Sequence, residues 1–226
     1  MTLARVLEEL HPFAKGATHA HTGMWVSEQL RQRIADGQLA PGTKLSEEAL
    51  GEALGVSRNT LREAFTTLHA EHIITRIPNR GVFVAHPTAD DIREIYRVRR
   101  FLEPAALMWS PSSSVSDLEA IVAVGREAQA RGDIDGMAGA NQDFHRAVVA
   151  RAASERLNGL MSQVLAEMRL VFHGMGANPD FHEPYLADNA HLIELMAAGE
   201  LAAAAEFMGN YLERAEAQLL AAVTPV

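Results

Sequence analysis

Arg58, Asn59, Thr60 and Arg62 lie directly behind Ser57. Arg58 and Arg62 are four apart, so on a helix they share one face. Guanidinium, amide and hydroxyl groups at a helix N-terminus suit phosphate oxygens and the acceptor edge of guanine, and the helix end adds partial positive charge. A second cationic point, Arg80, stands between Asn79 and Gly81 in a turn-forming stretch. An ordinary solvated amphipathic helix could carry the same residues. The flanking elements must decide.

Other sets promise less. Asp143 and His145 look like an acid–base pair, but residues two apart on a helix diverge. Ser112-Ser113-Ser114 has no base beside it and reads as a loop. The chain has no Cys, which excludes a thiol nucleophile, a Cys-based zinc site and a disulfide scaffold. Arg99 and Arg169 sit among apolar residues of helices expected to line a helical interior, where the guanidinium fork could anchor a carboxylate. An internal ion pair is the equal alternative, since Glu103 is four residues beyond Arg99.

The elements that would position the first set are readable. Trp25, Leu30 and Ile34 have helical spacing, and Gly37 and Pro41-Gly42 stop that helix. Ser46 is placed to cap a second helix, with Leu45 and Leu50 as a hydrophobic staple and Gly55 as its left-handed end. Ser57 then caps a third, whose inward stripe is Leu61, Ala64, Phe65 and Leu68. Ile73 to Ile77 and Val82 to Val84, around Pro78-Asn79-Arg80-Gly81, read as a hairpin. Helix, helix, tight turn, helix, hairpin is a winged helix-turn-helix, and in that setting the DNA reading prevails.

Beyond Pro87 the chain reads as helix, with spans predicted at 88–109, 115–131, 133–153, 156–174, 180–198 and 200–221. Thr88 and Ser116 are expected N-caps. Short connections between such helices predict an antiparallel bundle of six to seven helices. The fold class is therefore mainly α: a winged helix-turn-helix with a small hairpin wing, then the bundle. Residues 1–21 are expected to be a tail, 22–86 a DNA-binding domain, and 87–226 an effector-binding and dimerisation domain.

The charge distribution agrees with two jobs. The net charge of the 226-residue chain is −9, which by itself argues against a polyanionic partner. Yet residues 22–86 carry seven Lys/Arg and seven Asp/Glu, 87–226 eleven against twenty, and 1–21 two against two. The excess acid lies wholly in the bundle, so a local basic face suffices for the first domain. Hydrophobic residues at 48% exclude a disordered chain. Neither a membrane-length apolar run nor a secretory leader is visible, so a cytoplasmic location is expected.

Three blocks now carry a resemblance. They are Gly37 to Glu47 (GQLAPGTKLSE), Leu54 to Ala64 (LGVSRNTLREA) and Pro78 to Gly81. In order and separation they resemble the winged helix-turn-helix of GntR-family transcription regulators. The resemblance implies that Arg58, Thr60 and Arg62 face an operator and that the wing tip meets the minor groove. Asn59, Asn79, Arg80, Gly81 and Lys44 complete the expected DNA-binding set. Glu48 departs from relatives that carry Arg there. Ile95 to Ala105, Asn141 to His145, and Ala198-Gly199-Glu200 resemble the all-helical FCD-type effector domain of the FadR branch.

Many members of that branch hold a divalent metal through one Asp and three His. Matching by position, Asn141 falls on the Asp, His145 on the first His, Asn189 on the second and Tyr211 on the third. One imidazole with two amides and a phenol is a poor set for zinc or nickel, so no metal and no cofactor are expected. A shifted register could bring in His173, His182 or His191. The expected effector site comprises Arg99, Asn141, His145, Arg169, Asn189 and Tyr211, and a small carboxylate-bearing metabolite is its expected ligand. The expected function is a homodimeric, effector-controlled repressor of double-stranded operator DNA, not an enzyme. The alternative is a metabolite-binding or enzymatic bundle with an appended nucleic-acid module, which would need a convergent catalytic set.

Overall fold

The computed structural model describes residues 6–7, 22–110, 114–175 and 179–223. The tail expected over 1–21 lies outside the described residues apart from Val6 and Leu7, and so does most of the serine loop. The elements are α1 (Thr22–Ala35), β1 (Lys44–Leu45), α2 (Glu47–Leu54), α3 (Arg58–Ala70), β2 (Ile74–Ile77), β3 (Gly81–Val84), α4 (Ala89–Met108), α5 (Ser116–Ala130), α6 (Ile134–Ala150), α7 (Glu155–Met175), α8 (Pro179–Ala197) and α9 (Leu201–Ala222). The chain divides into two compact units. One is Met1–Pro87 with Ala166–Gly174, the other Thr88–Leu165 with Met175–Val226. The nine residues of α7 in the first unit depart from a simple division at residue 87.

In the first unit the caps fall where small polar residues stand. Ser46 Oγ accepts from the Ala49 amide, and Gly55 closes α2 at φ 64°, a left-handed turn that costs glycine no Cβ clash. Leu45 and Leu50 are buried on either side of the Ser46 cap. The hairpin pairs Ile74 with Val84 and Ile77 with Gly81. Its turn is made by left-handed Asn79 at φ 60°, and the Arg80 amide donates to the Ile77 carbonyl. β1 adds a third strand, Lys44 opposite Phe83 and Leu45 opposite Val82, in the order β1-β3-β2. Two residues show no alternation, so this strand could not be read from the sequence. Leu30, Leu39, Leu54, Leu61, Phe65, Leu68 and Ile74 fill the core beneath.

The second unit is all helix. Thr88 caps α4 in a capping box: its Oγ1 accepts from the Asp91 amide while Asp91 receives the Thr88 amide. Ser116 proves to be the first residue of α5 rather than its cap; Val115 holds that place with no side-chain bond. Asp133, not singled out from the sequence, caps α6 through the Gly136 amide. α9 packs mainly on α4, and α5 on α6. Gly125 lets α5 approach closely, since a Cβ there would meet Leu186 at 2.5 Å and Ala140 at 3.2 Å. No helix among the described residues is long and apolar enough to cross a membrane.

Candidate functional site

The exposed end of α3 is built on its cap. Ser57 has extended backbone, and its Oγ accepts from the Thr60 amide at 3.2 Å. The inward stripe of Leu61, Ala64, Phe65 and Leu68 is buried, which turns Arg58, Asn59 and Arg62 outward into solvent. Thr60 is half-buried, its hydroxyl 2.9 Å from Ser57 Oγ, so part of its hydrogen-bonding capacity is spent on the cap. Arg62 Nε lies 3.3 Å from Glu47 Oε2. That exposed pair holds the side chain only loosely and yields readily to a phosphate or base. Arg58 has no acidic partner among the described residues. Glu48 is exposed in the first turn of α2.

The wing carries its own cations. Lys44 Nζ lies 6.0 Å and the Arg80 guanidinium 5.8 Å from the centre of the Phe83 ring, so one half-buried aromatic steadies both. Asn79, Arg80 and Gly81 are all exposed at the turn. Arg76 was missed by sequence reasoning. Its Nη2 donates to Thr66 Oγ1 at 3.0 Å and to the Arg62 carbonyl at 3.4 Å, joining strand β2 to helix α3. An exposed position on a short strand gives no sequence signal for such a contact.

A second arrangement lies inside the bundle. Asn141 and His145 on α6, Asn189 on α8, Tyr211 on α9, and Arg99 and Glu103 on α4 are all buried. Asn189 Nδ2 donates to Asn141 Oδ1 at 2.8 Å. The Tyr211 hydroxyl stands 3.0 Å from that same oxygen and 3.0 Å from His145 Nε2. Its one proton therefore serves one of them at a time. His145 Nδ1 lies 2.5 Å from Glu103 Oε2, and Arg99 Nε donates to Glu103 Oε1 at 2.6 Å. The Arg99 guanidinium also lies 4.9 Å from the Tyr96 ring centre. Six side chains from four helices thus form one continuous polar chain.

Its electrostatics follow from burial and pairing. Burial alone would raise Glu103, but Arg99 and His145 together hold it below the usual carboxylate range. Burial lowers His145 in spite of Glu103, and burial raises Tyr211 well above an ordinary phenol. The cluster therefore carries one positive and one negative charge. Glu103, which sequence reasoning weighed only as an ion-pair partner of Arg99, is the hub that joins Arg99 to His145.

Of the two alternatives open for Arg99, the ion pair is formed, and Glu103 answers its charge. One expectation for this site needs correction. Arg169 is not gathered here at all. It belongs to the stretch that clusters with the first unit, and its Nε donates to the Ala35 carbonyl at 2.9 Å. His173 Nε2 reaches the same carbonyl at 2.8 Å, and His191 is exposed beside Glu194. His182 is buried against Phe181.

Nor do these residues fit the divalent metal that the resemblance to FadR-branch effector domains implies. The single imidazole has both ring nitrogens engaged, and its neighbours are two amides and a phenol kept protonated by burial. Among the described residues no three His, Cys, Asp or Glu gather to hold a metal ion.

The model for bacterial regulatory proteins of the gntR family matches residues 24–84, and that for the FCD domain matches residues 94–214. The second match alone spans more than half of the chain. The chain belongs to the GntR family of regulators that carry an FCD domain. The gluconate operon transcriptional repressor of Bacillus subtilis is 43% identical over 94 residues, which is 42% of this chain and 38% of that protein. The matched stretch therefore spans well under half of that repressor. The crystal structure of a putative GntR transcriptional regulator from Rhodococcus sp. RHA1 is 40% identical, covers 89% of this chain and 99% of its own, and superposes with a TM-score of 0.83. Escherichia coli McbR/YncC, at 22% identity over 89% of this chain and 98% of its own, shares the fold with a TM-score of 0.73. Such GntR regulators pair a DNA-binding domain with an effector-binding one.

Proposed function

We propose that this GntR-family chain is a cytoplasmic repressor that binds operator DNA as a homodimer and loses or gains operator affinity when a small polar metabolite enters its FCD domain. The observation that carries the reading is the Ser57-capped end of α3, where Arg58, Asn59 and Arg62 stand exposed above a fully buried apolar stripe. With Thr60 at the cap they form the base-reading set; Lys44, Asn79, Arg80 and Gly81 form the wing contacts. The repressor sense is supported by the name of the Bacillus subtilis relative. The relatives are regulators, and no enzymatic role is proposed.

A homodimer is supported by α4. Phe101, Ala105 and Met108 recur at helical spacing along it, Trp109 follows at its C-cap, and all four are exposed, Phe101 at 77% and Trp109 at 81%. Large apolar side chains in a row on one helix face are characteristic of a surface that another chain covers. A second copy also supplies the second winged domain that an inverted repeat requires. The effector reading rests on the buried chain from Asn189 to Arg99. An effector changes operator affinity only by binding two states of the protein unequally. Footprinting of the DNA upstream of the protein's own gene tests the whole reading. Two protected half-sites related by a two-fold axis are expected. Uniform, unphased protection would contradict it.

A further inference from the structure

We infer that the buried cluster of the FCD domain recognises a neutral, hydroxyl-bearing small molecule directly, through Arg99 Nη2 and Asn189 Oδ1, with no metal between protein and ligand. This rests on the reading that the FCD domain binds an effector, and it names the effector's chemistry.

The two atoms stand at the two ends of the polar chain. Arg99 is 3% and Asn189 1% exposed, yet neither Arg99 Nη2 nor Asn189 Oδ1 has a hydrogen-bond partner among the described residues. Buried polar atoms left in that condition are costly and uncommon. Between them the chain is closed: Asn189 Nδ2 is on Asn141, Tyr211 bridges Asn141 and His145, and Glu103 takes both His145 and Arg99 Nε. The unmet atoms are thus one donor nitrogen, with two N–H groups, and one acceptor oxygen.

That pairing selects the ligand class. A hydroxyl donates one hydrogen bond and accepts others, so the hydroxyls of a diol or polyol offer each atom the partner it lacks. A carboxylate only accepts. Alone it would satisfy Arg99 but set a second acceptor against Asn189 Oδ1; in a hydroxy acid, whose hydroxyls can donate there, the charge alone discriminates. Either acid would bury a further negative charge beside Glu103, whose own charge already balances Arg99. An ammonium reverses the fault, facing Asn189 correctly and Arg99 with like charge. A metal has no foothold, because His145 uses both ring nitrogens within the chain.

The test uses the full chain without DNA, so failure of operator binding and failure of this inference are separately visible. Thermal melting and titration calorimetry are run with matched probes, D-glucitol against D-gluconate and glycerol against glycerate, each with a chelator and then with added zinc. At least one polyol is expected to raise the melting temperature saturably, its acid partner to do so at least tenfold less effectively, and chelator to change neither. Asn189→Leu should weaken polyol binding more than tenfold, while Tyr185→Phe, which removes only a hydroxyl bonded to Gln218, should leave it unchanged. Tighter binding of the acids, a requirement for zinc, no response to any polyol, or polyol binding that survives Asn189→Leu would each overturn the inference. Should Asn189→Leu fail to fold, the polyol–acid comparison on the unaltered protein still decides.

Discussion

Arg58 and Arg62 have the most direct task in this account and the least structural support to lose. Both are exposed, Arg58 has no acidic partner among the described residues, and Arg62 has only the loose contact with Glu47. Replacing either by Ala should leave the melting temperature unchanged and weaken operator binding by about 1–3 kcal/mol, as expected for a lost bidentate base contact. Arg80→Ala should instead reduce the dependence of affinity on salt and alter sequence preference little, if the wing tip meets backbone or minor groove as proposed. Fluorescence anisotropy with operator and scrambled duplexes at two salt concentrations separates the two patterns. Glu103 is the opposite case, fully buried and hub of the polar chain. Glu103→Ala leaves the Arg99 charge buried and unpaired, so chemical denaturation should show a loss of about 3–5 kcal/mol. The double variant Arg99→Met/Glu103→Leu should lose less than Glu103→Ala alone, since it removes both charges together. A double variant no more stable than the single would contradict this account of the pair.

The elements depend on their ends. Ser57 holds the first turn of α3 through the Thr60 amide. Ser57→Ala should therefore cost about 1 kcal/mol of stability and fray the turn that carries Arg58 and Asn59. Circular dichroism melts measure the first effect and operator affinity the second; an unchanged melt would show that the cap contributes nothing. Most of this level was legible in the sequence, because caps, staples and apolar periodicity are local. Ser46, Gly55, Ser57 and Thr88 stand at the helix ends where their chemistry places them. What was not legible depended on distant chain. β1 exists only because β3 lies beside it, and Arg76 meets Thr66 only across the join of strand and helix. The cluster shows the same division. Helical spacing placed Glu103 within reach of Arg99, but its second bond, to His145, is a contact across 42 residues. Arg169 looked equivalent to Arg99 in composition and spacing, and only folding separated them.

At the scale of the whole molecule the two units have different characters. The acid excess lies in residues 87–226, and the charge-balanced winged unit turns its cations outward at α3 and the wing. Such a chain should bind DNA as a pair, because one winged unit has too few contacts for a selective site. Sedimentation velocity should find twice the chain mass. Phe101→Glu, which places charge on the exposed face of α4, should shift it to a single chain; a dimer that withstands Phe101→Glu would move the interface elsewhere. The claim on which everything else depends is selective DNA binding, and one titration tests it most directly. Purified protein is added to labelled duplex from the region upstream of its own gene, and to a scrambled duplex of equal length and composition, at near-physiological salt. Saturable binding to the upstream duplex should be at least a thousandfold tighter than to the scrambled one, the low end of the range for specific regulators. Equal affinity for the two duplexes would contradict it.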